Sequence, residues 1–230
     1  MKKYTKRIKN LNSLITEESY PINKAVTLLK DLATAKFAES VEAHISLNID
    51  PKYGNQQLRT SLVLPHGTGK ELKIAVFTES EYVNEALDQG AIIAGSDDFL
   101  DDMSGGNLDF DILITTPQLM PKLAKLGRIL GPKGLMPSPK SGTVTTNIKE
   151  TISEFKKGKL EYRADKTGIV HLSFGKASFT VDQLEENLTA VFESIERNKP
   201  SGVKGRYFKS FNVCTTMSPS LTIQLNSFKK

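Results

Sequence analysis

Basic side chains without acidic neighbours mark residues 112–149 as a place where chemistry with phosphate groups is possible. This stretch contains no Asp or Glu, and its cations are Lys122, Lys125, Arg128, Lys133, Lys140 and Lys149. Within it, residues 127–143 include four glycines and three prolines. Glycine permits positive φ and proline fixes φ, so this composition specifies an unusual backbone path. We interpret residues 127–143 as a loop with a binding task, and a purely structural turn system is the alternative.

Residues 36–42, Lys36-Phe-Ala-Glu-Ser-Val-Glu42, place an aromatic ring beside a cation and a short hydroxyl side chain. They follow a predicted helix and lead into a predicted strand. Phe37 could stack on a nucleic-acid base while Lys36 contacts a phosphate. From the residue types alone, the favoured alternative is that Phe37 fills the core beneath the end of the helix.

The glycine-rich segment 65–70 does not match a nucleotide-binding loop. The Walker pattern requires Gly where Leu64 stands and Ser or Thr where Glu71 stands. A dinucleotide-binding G-x-G-x-x-G fingerprint is also absent from the sequence. A nucleotide-dependent enzyme with Lys70 or Lys133 on a phosphate is nevertheless the competing hypothesis from another functional class.

Metal and redox chemistry find little support in the sequence. The histidines, His44, His66 and His171, are far apart, and Cys214 is the only cysteine. A single cysteine excludes an internal disulfide and a multi-cysteine metal site, and it suits a reducing compartment. A metal site needs three or four converging ligands. We therefore expect no metal, no cofactor and no catalytic residues.

The composition is that of an ordinary soluble protein, with 38% hydrophobic and 25% charged residues in 230. Apolar runs such as residues 112–114 are too short to cross a bilayer, so we expect no membrane partner. The basic start, residues 1–9, resembles neither a secretory signal nor a transit peptide. We expect the protein to act in the compartment where it is made.

Charge is distributed unevenly along the chain. Residues 1–70 hold 11 basic and 6 acidic side chains, residues 71–156 hold 8 and 13, and residues 157–230 hold 12 and 7. Each end therefore has a net charge of +5 and the middle a net charge of −5. A protein that binds phosphate backbones would use the two ends, although chance asymmetry is an alternative.

The middle of the chain reads as alternating strands and helices. We predict strands at residues 72–78, 91–94 and 110–115, and an exposed acidic helix at residues 97–102. A helix capped by Ser80 would place Val83, Ala86 and Leu87 on one side, and another with Leu119, Leu123 and Leu126 would end at Gly127. This alternation predicts a small parallel sheet with helices on both sides, a Rossmann-like architecture.

The two ends together predict an α+β domain with two helices on an antiparallel sheet. One helix starts at Pro21, and Thr180 with Gln183 forms a capping box for the other. Strands are predicted at residues 41–49, 59–64, 169–174, 206–215 and 220–225. We therefore predict a discontinuous domain of residues 1–68 and 158–230 with a Rossmann-like domain, residues 69–157, inserted into it. Gly67, Gly69 and Gly158 at the two connections are candidate hinges.

Four stretches closely resemble the large-subunit ribosomal protein L1 family of bacteria and plastids, and the resemblance covers essentially the whole chain. They are residues 127–143, residues 36–42, Tyr162-Arg-Ala-Asp-Lys-Thr-Gly-Ile-Val-His171 and Thr215-Thr-Met-Ser-Pro-Ser220. The last is similar to a Ser/Thr-Thr-Met-Gly-Pro motif, from which Ser218 departs. A side chain at that position could crowd the close backbone approach that glycine permits.

The resemblance implies an RNA-binding surface drawn from both chain ends. Its implied members are Lys36, Phe37, Ser40, Val41, Glu42, Arg163, Asp165, Lys166, Thr167, Thr216, Met217 and Ser218. Without the resemblance, Arg163, Asp165 and Lys166 read as a surface ion-pair network of little energetic value. Secondary contacts to RNA or tRNA would come from Arg128, Lys133 and Lys140.

The resemblance also implies a function without catalysis. Its parts are a structural role in the large ribosomal subunit, binding to rRNA of the mobile stalk near the tRNA exit site, and help in releasing deacylated tRNA. Repression of its own mRNA and contacts with other ribosomal components belong to the same expectation. Residues 50–60 are most similar to cyanobacterial and plastid members. We therefore expect a ribosome-bound protein of the plastid stroma, with a bacterial, cyanobacterium-like cytoplasm as the alternative.

Overall fold

The computed structural model describes residues 5–228 and their side chains except that of Asp97. Residues 1–4 and 229–230, which the sequence assigns to the terminal domain, lie outside the described residues. The chain forms two compact units. Unit 1 comprises residues 1–69 and 161–230, and unit 2 comprises residues 70–160. Among the described residues, no helix combines the length and apolar character needed to cross a membrane.

Helices and strands are distributed along the described chain. The helices are α1 Lys6–Ser13, α2 Ile22–Leu32, α3 Val83–Asp88, α4 Asp97–Ser104, α5 Met120–Ala124, α6 Gly127–Leu130, α7 Ile148–Lys156 and α8 Val181–Arg197. The strands are β1 Ser40–Leu47, β2 Arg59–Val63, β3 Ile74–Phe77, β4 Ile93–Gly95, β5 Ile112–Thr115, β6 Lys159–Arg163, β7 Ile169–Lys176, β8 Phe208–Thr215 and β9 Leu221–Thr222.

Unit 1 is built on a four-stranded sheet in the order β7-β1-β8-β9. Strand β1 is central and pairs antiparallel with both β7 and β8. Its side chains alternate strictly between buried and half-buried, because successive residues of a strand point to opposite faces. Val41, Ala43 and Ile45 therefore enter the core beneath α2 and α8, while Glu42 and His44 lie on the other face.

The helices of unit 1 follow their sequence signals. The five apolar positions of α2 predicted to face the core, Ile22, Ala25, Val26, Leu29 and Leu32, are all buried. The Thr180 hydroxyl accepts from the Gln183 N–H, and the Gln183 side chain accepts from the Thr180 N–H. This confirms the predicted capping box of α8. Pro21 stands at the N-cap of α2 rather than inside its first turn.

Unit 2 contains a three-stranded parallel sheet in the order β4-β3-β5. All four residues of β3 are buried, as expected for a strand covered on both faces. Ala75 and Phe77 pack into one apolar cluster, whereas Ile74 and Val76 pack into a second. Together with unit 1, this confirms the predicted fold class, a two-domain α+β and α/β protein.

Several local predictions for unit 2 are wrong. Ser80 opens a short 3₁₀ turn, and α3 begins only at Val83, so Ser80 is not its N-cap. Leu87 is 43% exposed instead of facing the core. Gly127 begins α6 instead of ending the preceding helix, α5. At Ser80 and at Gly127, short helical turns replace the single longer helix expected from the periodicity.

Three elements were not predicted: α1, α7 and β6. The signal for α7 was present, since Ile148, Ile152 and Phe155 recur at helical spacing and are buried. Strand β6 pairs with β2 in a separate two-stranded sheet. Only one of its five residues, Tyr162, is buried, so its apolar pattern is weak.

Replacing Thr180 by alanine should destabilise unit 1 by about 1 kcal/mol, the usual value of an N-cap. Chemical denaturation of the full chain measures the change in the free energy of unfolding. Thr189→Ala in the same helix is the matched control, because the Thr189 hydroxyl donates only to the Glu185 carbonyl within the helix. An equal loss in both variants would show that the cap contributes nothing.

Candidate nucleic-acid interface

The carboxylate of Glu39 connects two of the segments implied as RNA contacts. Glu39 is 1% exposed. Its Oε1 accepts from the Ala35 N–H at 2.9 Å. Its Oε2 accepts from the Thr215 hydroxyl at 2.7 Å and from the Met217 N–H at 2.9 Å. One buried side chain therefore fixes residues 35–39 against residues 215–217.

The charged state of Glu39 suits this role. Burial alone would raise the pKa of its carboxyl, but hydrogen bonds from Ala35, Thr215 and Met217, with the Arg7 guanidinium at 4.0 Å, hold that pKa below its ordinary value. The ionised carboxylate is acceptor-only, which matches three converging donors. Sequence reasoning missed Glu39, although a carboxylate between Phe37 and a strand of alternating burial was a signal.

Backbone pairing joins the same segments a second time. The Ser40 N–H donates to the Thr216 hydroxyl at 3.1 Å, and the Thr216 N–H donates to the Ser40 carbonyl at 3.1 Å. The Thr216 hydroxyl also lies 3.4 Å from the Ser40 carbonyl oxygen, a long contact. Its acceptor role is thus used within the protein, and its proton can be redirected to an external acceptor.

Two large apolar side chains project from this corner of unit 1. Phe37 is 55% exposed and Met217 is 50% exposed. The interpretation of Phe37 as a core side chain is therefore wrong, because most of its ring is accessible to a ligand. Val41 differs from both, since its side chain is 1% exposed and lies in the core. Of the implied contact residues, Val41 can offer a ligand only its backbone.

Ser218 uses its hydroxyl inside its own turn. Its Oγ accepts from the Thr215 N–H at 2.9 Å and donates to the Pro219 carbonyl at 3.0 Å. The side chain is thereby folded back onto the backbone. The serine that replaces the family's glycine reinforces the turn that presents Thr216 and Met217.

The third implied segment, residues 163–167, is a tight turn organised by Asp165. Its carboxylate accepts from the N–H and the hydroxyl of Thr167 and from the Ile169 N–H, at 2.7 to 2.9 Å. The bond from Ile169, followed by those from Thr167, lowers the pKa of Asp165. Arg163 and Lys166 are exposed. The Asp165 carboxylate is thus engaged in the turn that positions the two cations.

A cleft of about 620 Å³ opens beside this turn and is lined by Arg163, Asp165, Lys166 and His171 among others. Strand β7, which carries His171, pairs with β1 along its length. On the other side of β1, Val41 and Glu42 pair with Thr215 and Cys214 of β8. The sheet therefore joins all three segments within unit 1. Residues 36–42 and 215–217 meet at the start of β1, whereas residues 163–167 lie near its end, where the Leu47 N–H donates to the Gly168 carbonyl.

Residues 127–143 in unit 2 are more structured than a free loop. They include α6, and Leu130, Ser141 and Thr143 are buried. The Ser138 N–H donates to the Thr143 hydroxyl at 2.8 Å, which closes the segment on itself. The alternative of a structural turn system thus describes its backbone. Arg128, Lys133 and Lys140 remain exposed on its surface.

The glycines at the two connections all have positive φ: 65° at Gly67, 69° at Gly69 and 103° at Gly158. Gly67 is also fixed within unit 1, because the buried Asn187 amide donates to its carbonyl at 3.0 Å. A Cβ at Gly69 would come within 2.9 Å of the Phe179 ring. Side chains other than glycine would be strained at these turns. Whether the turns act as hinges stays a prediction.

The position of Lys70 does not support the competing hypothesis of a nucleotide-dependent enzyme. Its ammonium lies 2.7 Å from the Asp111 carboxylate, at the edge of the parallel sheet where β3 and β5 begin. Ligands of such sheets bind at the opposite edge, beyond the carboxyl ends of the strands. Lys133 lies in the exposed part of residues 127–143.

Comparison with known proteins decides between these classes. A model of the ribosomal protein L1p/L10e family matches residues 29–219. The chain belongs to the ribosomal protein L1 family. It is therefore a structural constituent of the large ribosomal subunit and not an enzyme, and the nucleotide-dependent alternative is wrong.

Individual relatives match over almost their whole length. The large ribosomal subunit protein uL1c of Rhodomonas salina is 58% identical, with 100% of this chain and 98% of the relative aligned. The uL1c protein of Trieres chinensis is 58% identical, with 99% of this chain and 100% of the relative aligned. The uL1 protein of Prochlorococcus marinus strain MIT 9312 is 55% identical, with 99% of this chain and 97% of the relative aligned. Algal plastid-type and cyanobacterial relatives confirm that a ribosome in a plastid, or in a cyanobacterial cytoplasm, fits this chain.

Glu39→Gln should lower the free energy of unfolding at neutral pH by about 1–3 kcal/mol, because an amide NH₂ would then face a hydrogen-bond donor in a buried site. Denaturant titration measures the loss, with Glu193→Gln, an exposed site in α8, as the control.

The same pair of variants gives a pH test. The pKa of Glu39 is lower in the folded than in the unfolded chain, so its stabilisation is complete above the unfolded value of about 4.3. It is lost as the pH falls through the lower, folded pKa. The stability difference between wild type and Glu39→Gln should shrink over that acidic range. A difference that is constant with pH would contradict the assigned ionisation.

Proposed function

We propose that unit 1 binds large-subunit rRNA in the mobile stalk near the tRNA exit site. The proposed contact surface comprises residues 36–42, 163–167 and 215–218. One observation carries the proposal: the buried Glu39 carboxylate and the β1–β8 pairs hold residues 36–42 and 215–217, from opposite chain ends, in one place. Residues 163–167 precede β7, which pairs with β1 on its other side. A surface that is ordered before RNA binds avoids much of the entropic cost of association.

Each exposed side chain on this surface has a distinct role in the proposal. Phe37 stacks on an unpaired base, and Met217 forms an apolar pad against the sugar edge of the minor groove. The Thr216 hydroxyl turns its proton to a 2′-hydroxyl or phosphate oxygen of the RNA. Arg163 and Lys166 neutralise phosphates and release counterions, so affinity depends on salt.

In this proposal, Asp165, Thr167 and Ser218 mainly position the neighbouring contact residues. Their polar atoms are engaged in the turns that present the neighbouring contacts. Ser40 and Glu42 lie at the start of β1 and border the surface. The Val41 side chain is buried and is therefore excluded from the contact surface, although the Val41 backbone lies between Ser40 and Glu42.

The other proposed activities, repression of the protein's own mRNA and contact with deacylated tRNA, use the same surface and unit 2. We infer that the protein also represses its own mRNA, since an RNA that presents the same features as the stalk would occupy the same residues. Arg128, Lys133 and Lys140 provide unit 2 with exposed cations for deacylated tRNA. Rotation at Gly69 and Gly158 would move unit 2 with that tRNA as it leaves the exit site.

Phe37→Ala should weaken binding to a structured stalk fragment of large-subunit rRNA by about 1–3 kcal/mol, the value of one base stacked on an aromatic ring. Thr216→Ala should cost about 1–3 kcal/mol because an RNA acceptor loses its donor. Equilibrium titrations at fixed salt measure both losses. Tyr82→Ala, which truncates an exposed ring in unit 2, and Thr189→Ala are the controls. Unchanged dissociation constants for Phe37→Ala and Thr216→Ala would remove these residues from the surface.

Lys166→Ala tests the phosphate contact separately. The affinity should fall, and the slope of log K against log salt should decrease in magnitude by about 1. Lys204→Ala, an exposed lysine elsewhere in unit 1, should leave the slope unchanged. Equal slopes in all three proteins would place Lys166 away from the RNA backbone.

A further inference from the structure

Four metal-ligating side chains meet on the outer face of the unit 1 sheet, the face turned away from α2 and α8. Glu42 and His44 lie on β1, and Cys214 on β8 pairs directly with Glu42. His171 on β7 pairs directly with His44. Residues that are far apart in sequence are thus adjacent in the sheet, and spacing along the chain concealed this convergence.

Three of these side chains bring one donor atom each to a common point. The His44 Nε2 lies 3.3 Å from the Cys214 Sγ and 3.8 Å from the Glu42 Oε2. The carboxylate, imidazole and thiol donors all lie within 4.8 Å of one another. In the described part of the chain, no other three His, Cys, Asp or Glu donors converge in this way.

These separations are close to the edges of a zinc coordination tetrahedron. With Zn–N near 2.05 Å and Zn–S near 2.3 Å, tetrahedral angles give an N···S separation of about 3.6 Å. The corresponding N···O separation is about 3.4 Å. The observed 3.3 and 3.8 Å differ from these values by amounts that small side-chain rotations can supply.

His171 is placed to orient the ligating imidazole. Its Nδ1 lies 2.8 Å from the Nδ1 of His44, so one of the two nitrogens carries the shared proton. If His44 donates it, the Nε2 lone pair of His44 points toward the thiol and the carboxylate. The Nε2 of His171 is in turn 3.8 Å from the Asp165 carboxylate. Metal-binding histidines usually donate their second N–H to such an outer partner, which fixes the tautomer.

The cluster is open to ions in solution. The side chains remain accessible from solvent, since those of His44 and Glu42 are 32% and 39% exposed.

We propose that Glu42, His44 and Cys214 bind one divalent ion of the zinc class, with His171 as the positioning residue and the fourth position open to water. A soft sulfur, a borderline nitrogen and one carboxylate favour Zn²⁺ or Co²⁺ over Mg²⁺ and Ca²⁺, which prefer all-oxygen sites. On binding, the Cys214 thiol proton is released to solvent and the thiolate becomes the ligand. The site shares Glu42 with the proposed RNA-contact surface, but the metal proposal does not require that RNA binds there.

The test is a titration of the full chain, without an affinity tag and with a non-thiol reductant, by Zn²⁺ in a calorimeter and by Co²⁺ in a spectrophotometer. The expected result is one ion per chain. Cobalt should give a sulfur-to-metal charge-transfer band and the visible bands of a tetrahedral site. An excess of Mg²⁺ should leave the Zn²⁺ titration unchanged.

Variants assign the ligands. Cys214→Ser should abolish the charge-transfer band, and Cys214→Ser and His44→Gln should each weaken Zn²⁺ binding by more than ~100-fold, because outer partners alone contribute about 10–100-fold. His171→Gln should keep the band with a loss of about 10–100-fold. His66→Gln is the matched control, since His66 pairs with Glu186 elsewhere in unit 1.

Two results would overturn the proposal. One is wild-type affinity for Zn²⁺ no greater than that of Cys214→Ser, with both proteins folded by circular dichroism. The other is a cobalt spectrum without sulfur coordination. Because these titrations contain no RNA, their failure would leave the rRNA proposal unaffected, and failure of the rRNA titrations would leave the metal site unaffected.

Discussion

The structure of the proposed binding surface depends on one buried carboxylate. Glu39 receives three hydrogen bonds from two segments that are about 180 residues apart in sequence. A buried charge without partners is strongly unfavourable, so the two segments can neither separate nor shift while Glu39 stays ionised and buried. Arg7 of α1 adds a cation at 4.0 Å. The same constraint keeps Phe37 and Met217 exposed at one corner, although apolar side chains of their size favour burial.

The side chains of strand β1 alternate between two faces, and each face has a different structural role. One set of its side chains fills the core beneath α2 and α8, and the other set forms the polar outer face. Strands from the distant end of the chain pair on both sides of it, so the chain ends have to fold together before either can form a surface. The insertion of unit 2 between them leaves this sheet complete. It also leaves the acidic middle of the chain in a unit of its own.

Much of this could be predicted from the sequence. Helical periodicity and a capping box predicted α2 and α8, and apolar runs predicted the buried strands of the parallel sheet. The segments of the proposed contact surface were recognisable because Phe37, Arg163 and Met217 lie in long motifs. Short turns such as Ser80–Tyr82 were missed, because their signals are local and tertiary packing decides them. The meeting of His44 and His171 could not be inferred, since strand register brings together residues that no spacing rule connects.

In the proposed interface, segments from both chain ends contact the same RNA together. Hydroxyl-radical oxidation of exposed side chains, read by mass spectrometry with and without the stalk rRNA fragment, measures this most directly. Phe37 and Met217 are exposed in the free protein and should both be protected in the complex, while Tyr53, 61% exposed, should be oxidised equally in both states. Protection of only one of the two, or protection centred on the outward surfaces of α2 and α8, would contradict the account.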